Sequence, residues 1–198
     1  QRFDAIIANP PFLRPGAGTA LRAQVRATAA RLGVPLSGLT NAYLLFVFEA
    51  LARLKPGGRA AFLLPAEWAN ANTGAPLKEV LISGGYLREL IHFCALNPVF
   101  ARTLTTASLV LLQAPRPGER PPETIRARFV PADGAAPRDS VLDVADLRAA
   151  PKWDELIRTG QQAVPPGFVT LGDLASTRRG IATGANGFFH LSATEAAA

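Results

Sequence analysis

Residues 3–12 read F-D-A-I-I-A-N-P-P-F, and the fold turns on how that stretch is read. The apolar run 5–8, with Phe3 before it, predicts a short strand of a parallel sheet covered on both faces. Strands sandwiched between helical layers carry continuous apolar residues rather than an alternation. Asn-Pro-Pro then ends the strand. Proline has a fixed φ and no N–H for a ladder, and it pushes the residue before it towards extended backbone. The chain can neither run on as strand nor turn at once into helix, and the carbonyls of this corner are left with a fixed aim.

Working outward, a loop with Pro15, Gly16 and Gly18 leads to a predicted helix over 19–32. Leu21, Val25 and Leu32 fall at helical spacing, Gly33 lies beyond the end, and Arg22, Arg26 and Arg31 read as a solvated face in preference to a phosphate track. Residues 41–54 are apolar nearly all round and predict a buried helix with Glu49 and Arg53 as an i,i+4 pair. Lys55-Pro56-Gly57-Gly58 stops it, and 60–64 predicts the next buried strand. A helix over 76–83, a Gly84-Gly85 break and a strand over 87–94 repeat the pattern. A strand over 107–113 follows through a connection too short for a crossover helix, which predicts antiparallel pairing with its predecessor. The expected class is α/β, half of a doubly wound sheet with an antiparallel edge hairpin.

After Gln113 the texture changes to a Pro- and Gly-rich break, a strand candidate at 124–130 and helix candidates at 144–148 and 153–158. The expected organisation is one domain over 1–115, a linker and irregular extension over 116–166, and the start of a further region over 167–198.

Composition bounds the function. Hydrophobic residues at 48% and charged residues at 18% belong to a folded chain. No apolar run approaches the ~20 residues of a membrane span and no leader pattern opens the chain, so a cytoplasmic location is expected. One cysteine, Cys94, excludes an internal disulfide and a cysteine metal cluster. His92, in an apolar strand, reads as a satisfied core residue, Tyr43, Trp68 and Trp153 read as packing, and no metal site is expected. The net charge is +6, and 18 of the 21 basic residues are arginine, whose planar fork suits a phosphate-bearing partner. With no methionine at all, the sequence reads as a piece of a longer protein.

Ligands of open α/β sheets bind at the carboxyl ends of the strands, where residues 9–12 are expected to lie. The Asn9 side chain and the nearby carbonyls offer acceptors, and Phe12 offers a flat apolar face. That combination suits a planar substrate with an exocyclic NH2. The lone pair of such an amine is delocalised into its ring, and two acceptors holding its N–H bonds favour a geometry in which the lone pair faces an electrophile. Stacking on an aromatic side chain adds ~1–3 kcal/mol per base.

N-P-P-F is followed by N-A-Y-L-L-F-V-F-E-A-L-A-R-L-K-P-G-G-R-A-A-F-L-L-P-A-E-W at 41–68, N-P-V-F-A-R-T-L-T-T-A-S-L-V-L-L at 97–112 and R-R-G-I-A-T-G-A-N-G-F-F at 178–189. In that order these segments resemble the S-adenosylmethionine-dependent amino-methyltransferases of DNA, particularly the gamma-type adenine-N6 enzymes of restriction-modification systems. The resemblance implies a Rossmann-like methyltransferase sheet and a catalytic Asn9-Pro10-Pro11-Phe12. Asn9 and Pro10 would accept from the adenine amino group, while Phe12 and Phe100 hold the extruded base. Arg14, Arg178, Arg179, Thr183 and Asn186 would face double-stranded DNA, with 167–198 opening a target recognition region. The cofactor implied is S-adenosylmethionine, held mainly by a loop preceding the catalytic strand, with Asn9 at the edge of its site and no metal. Residues 1–115 would then be part of a catalytic domain, inactive alone, with restriction or defence subunits as further partners. Three alternatives stay open: a protein glutamine-N5 methyltransferase, which favours Tyr where Phe12 stands; a non-catalytic DNA-binding piece; and cytosine rather than adenine as the target.

Overall fold

A computed structural model describes residues 1–12, 19–36, 40–94, 106–131, 134–160, 167–169 and 171–176, with backbone only at 19–22. Six strands form a single sheet: β1 (Phe3–Ala8), β2 (Leu54–Pro65), β3 (Leu87–Phe93), β4 (Ala107–Gln113), β5 (Thr124–Val130) and β6 (Arg138–Asp143). The helices are α1 (Thr19–Leu32), α2 (Ala42–Ala52), α3 (Ala75–Ser83), α4 (Val144–Ala149) and α5 (Asp154–Thr159), with 3-10 turns at Ala66–Ala69 and Asn72–Gly74. Residues 1–162 make one compact unit and 163–198 a second, in which a short helix α6 (Leu171–Leu174) is described.

The lateral order is β1-β2-β4-β3-β5-β6. β1 and β2 are parallel, as are β3 and β5, while β4 runs antiparallel to both β2 and β3, and β6 antiparallel to β5. The carboxyl ends of β1, β2, β3 and β5 therefore share one edge of the sheet. The α/β class and the antiparallel pairing of β3 with β4 are as expected, but β4 lies inside the sheet. It pairs with β2 from Arg59↔Gln113 to Pro65↔Ala107 and with β3 on its other side. A short connection fixes strand direction, not lateral position.

The segment read as linker and irregular extension supplies β5, β6, α4 and α5 of the same unit. Ile125, Ala127 and Phe129 are buried at alternate positions of β5, and register pairs from Glu89↔Arg126 to Phe93↔Val130 join it to β3. The proline-rich break at 114–122 marks a sheet connection here.

One face of the sheet carries the core, with Phe62, Leu64, Leu90 and Val110 under Leu44 and Phe48 of α2, Leu77 and Leu81 of α3, Leu147 of α4 and Leu156 of α5. Burying a side chain of this size is worth about 1.5–3 kcal/mol. The opposite face is not covered among the described residues. Ile7 is 87% and Val141 65% exposed, and a groove of about 470 Å3 runs across Ile7, Ala61, Leu111, Glu89 and Arg126. This corrects the expectation for β1. Among the described residues it is an edge strand, half-buried only at Ile6 and Ala8. Its apolar run states what the strand can accept on both faces, and the described residues supply one.

Two smaller differences have simple causes. Glu49 pairs with Arg31 at 2.5 Å rather than with Arg53, because α1 brings that guanidinium alongside α2. β2 already starts at Leu54, and Lys55 to Gly58 bulge out of it, the register jumping from Phe3↔Leu54 to Ala5↔Arg59. Gly57 turns the bulge with φ 77°, a left-handed conformation, and donates to the Ala114 carbonyl at 2.9 Å.

Candidate active site at the carboxyl edge of the sheet

Ala8 pairs with Phe62, so Asn9 leaves the sheet at its carboxyl edge beside the last residues of β2. Asn9 is exposed, Pro10 is buried, and Pro11 and Phe12 are exposed again, the phenyl ring 41% so. The alternation follows from the chemistry: a buried proline anchors the turn without needing a partner for an N–H, and its neighbours are held outward. Pro10 and Pro11 have no N–H to donate to the carbonyls past the strand end.

The Phe12 ring stands edge-on to Tyr43, with centroids 6.3 Å apart and planes at 83°. Tyr43 lies in the first turn of α2, after the N-cap Asn41, and is 1% exposed. Its hydroxyl is enclosed, beside the Asn41 side chain. Burial raises the phenol pKa, the Asn41 side chain pulls it down, and the Glu67 carboxylate adds to the rise. Glu67 stands exposed in the turn that follows β2. The corner thus draws on β1, the start of α2 and the end of β2. Tyr43, read from the sequence as packing, is buried, and it packs against Phe12.

Farther along the same edge the strand ends are closed. Trp68 Nε1 donates to Ser108 Oγ at 2.8 Å, and its ring meets Trp153 edge-on at 5.5 Å. Trp153 Nε1 donates to the Leu147 carbonyl at 2.8 Å, and the Asp154 N–H to Asn70 Oδ1 at 3.1 Å. Lys78 Nζ donates to the Pro151 carbonyl at 2.7 Å and sits 5.4 Å from the centre of the Trp153 ring, with burial pushing its pKa down to about 8. His92 is the buried residue expected, its Nε2 3.3 Å from Asp154 Oδ1, but Nδ1 is enclosed with no partner. Burial lowers its pKa and Asp154 partly opposes the shift.

Of the remaining predicted site residues, Arg14, Phe100, Arg178, Arg179, Thr183 and Asn186 lie outside the described residues. Cys94 and Thr106, on either side of the Phe100 segment, are both at the carboxyl edge: Cys94 N–H donates to Val130 O, and Ala66 N–H to Thr106 O, each at 2.9 Å. Two grooves, of about 470 and 530 Å3, flank the body of β1, and neither is lined by Asn9 or Phe12. Among the described residues, no group of three or more His, Cys, Asp or Glu side chains is placed to hold a metal ion, and no helix is long and apolar enough to cross a membrane.

Comparison with solved structures defines the fold. The type IIG restriction endonuclease BpuSI superimposes with a TM-score of 0.56 at 12% identity over 74% of this chain and 20% of its own. A putative class I S-adenosylmethionine-dependent methyltransferase from Listeria monocytogenes gives 0.50 at 18% identity over 66% of this chain and 36% of its own. At such identities the likeness is one of fold, the mixed sheet of Rossmann-like methyltransferases. The family follows from the sequence. Residues 1–100 match the Eco57I restriction-modification methylase model, and the chain belongs to that family. Type II methyltransferase M.AccI from Acinetobacter calcoaceticus is 26% identical over 99% of the chain, and type II methyltransferase M.XamI from Xanthomonas campestris pv. amaranthicola is 31% identical over 93%. The chain spans 38% and 35% of those two proteins.

Proposed function

We propose that residues 9–12 are the amine-holding corner of a DNA methyltransferase of a restriction-modification system, and that the full-length protein methylates the N6 amino group of an adenine turned out of the duplex. The observation that carries this reading is the exposed Asn9 and Phe12 at the carboxyl edge of β1, in a chain of the restriction-modification methylase family. Asn9 Oδ1 and the Pro10 carbonyl each accept one N–H of the amino group. With both N–H bonds held, the nitrogen lone pair is turned out of conjugation and no strong base is needed beforehand. Phe12 covers one face of the base, and Phe100 belongs to the same grip. A duplex base reaches this corner only by leaving the stack, at a cost of a few kcal/mol.

The methyl donor of the reading is S-adenosylmethionine, which supplies an electrophilic methyl group when bound. The described residues fit the amine side of such a reaction, with acceptors and an aromatic wall; at most Asn9 borders the donor. DNA is the partner that the +6 charge suits, and Arg14, Arg178, Arg179, Thr183 and Asn186 are assigned to it, the last four in a target recognition region beginning within 167–198.

Expression of the full-length protein in a host lacking modification, followed by digestion of its DNA to nucleosides and mass spectrometry, tests the proposal. N6-methyladenine is expected. N4-methylcytosine in its place would move the target base, and unmethylated DNA together with methylated glutamine in protein would overturn the reading.

A further inference from the structure

Taking the amine corner at residues 9–12 as its premise, we infer that Tyr43 is a positioning residue of that corner, fixing the tilt of the Phe12 ring so that its open side meets the base. Two prolines fix the backbone up to Phe12, yet they leave its side-chain torsions free. Phe12 is 41% exposed, so core packing does not set those torsions either. The Tyr43 ring does. It is 1% exposed, held in the first turn of a buried helix, and meets Phe12 at 83° with centroids 6.3 Å apart. An edge-on aromatic contact sets the positive rim of one ring against the negative face of the other and so prefers one orientation; an aliphatic side chain of equal volume would fill the space without that preference.

The hydroxyl plays no part in this contact. It is enclosed beside the Asn41 side chain, while the contact with Phe12 is ring to ring. Ring and hydroxyl can therefore be separated experimentally.

The test uses the full-length protein, phage DNA from an unmodified host and tritiated S-adenosylmethionine, measured as single-turnover methyl transfer at saturating DNA. Tyr43→Leu should lower the rate about 3- to 10-fold with the half-saturating DNA concentration within about twofold, the range expected of one lost aromatic pair. Tyr43→Phe should restore the wild-type rate. In a Phe12→Ala background, Tyr43→Leu should cause no further fall, because a residue acting only through Phe12 loses its effect with Phe12. A wild-type rate in Tyr43→Leu, an equal fall in Tyr43→Phe, or a full additional fall on top of Phe12→Ala would each overturn the assignment. Asn9→Ala run alongside separates the two levels: if it is inactive while Tyr43→Leu is normal, only Tyr43 is removed; if it is fully active, the corner itself is refuted and Tyr43 with it.

Discussion

The carboxyl edge of this sheet has two regions built on opposite plans. At β2 and β3 the strand ends are sealed by Trp68, Trp153, Lys78 and Asn70, both indole N–H groups are satisfied, and the 150–154 segment is stitched down by hydrogen bonds. At β1, prolines replace hydrogen bonds as the source of rigidity, and Asn9 and Phe12 are left facing outward. Rigidity obtained through interactions consumes polar groups; rigidity obtained through proline leaves acceptors available. That difference explains why a ligand is assigned to one region and stability to the other.

The largest effect is expected at the sealed region. Trp153→Ala should destabilise the protein by about 3–5 kcal/mol, since it removes a fully buried indole together with its contacts to Trp68 and Lys78. Urea unfolding of the full-length protein measures this, and a shift under about 1 kcal/mol would show that the seal is not structural. At the open region the pattern inverts: Phe12→Ala should weaken capture of the base by about 1–3 kcal/mol, read as a fall in kcat/KM, with little change in the urea midpoint. A large loss of stability there would place Phe12 among the core residues.

The smallest effect concerns Lys78. Its folded pKa of about 8 lies below its ordinary value of 10.5. Below pH 8 folded and unfolded chains both hold the proton and the folded state bears the burial cost. Between pH 8 and 10.5 only the unfolded chain keeps it, so stability rises with pH across that window and the dependence ends above it. Lys78→Met should remove this rise. Wild-type and variant urea midpoints that run parallel from pH 7 to 10 would show that the ammonium is not buried as described.

Much of this architecture was legible in the sequence, because the elements concerned announce themselves locally. The bounds of α1 follow from Leu21, Val25 and Leu32 with Gly33 beyond them, and β5 sits where its alternating residues place it. What depends on distant partners was not legible. The place of β4 inside the sheet, the uncovered face of β1 and the joining of 124–158 to the main unit are set by pairings between residues tens of positions apart. The end of β1 at Ala8 was legible for the same reason as the helices, since two consecutive prolines dictate their own backbone. The burial of Tyr43 was legible, but its contact with Phe12 was not, because an apolar helix offers no local sign of which ring it touches.

Single-turnover methyl transfer by the full-length protein carrying Asn9→Ala, measured beside its urea midpoint, bears most directly on the central claim. A fall of about 100-fold or more with an unchanged midpoint is predicted, as for loss of a group whose hydrogen bond is strongest in the transition state. Transfer at the wild-type rate would contradict the claim.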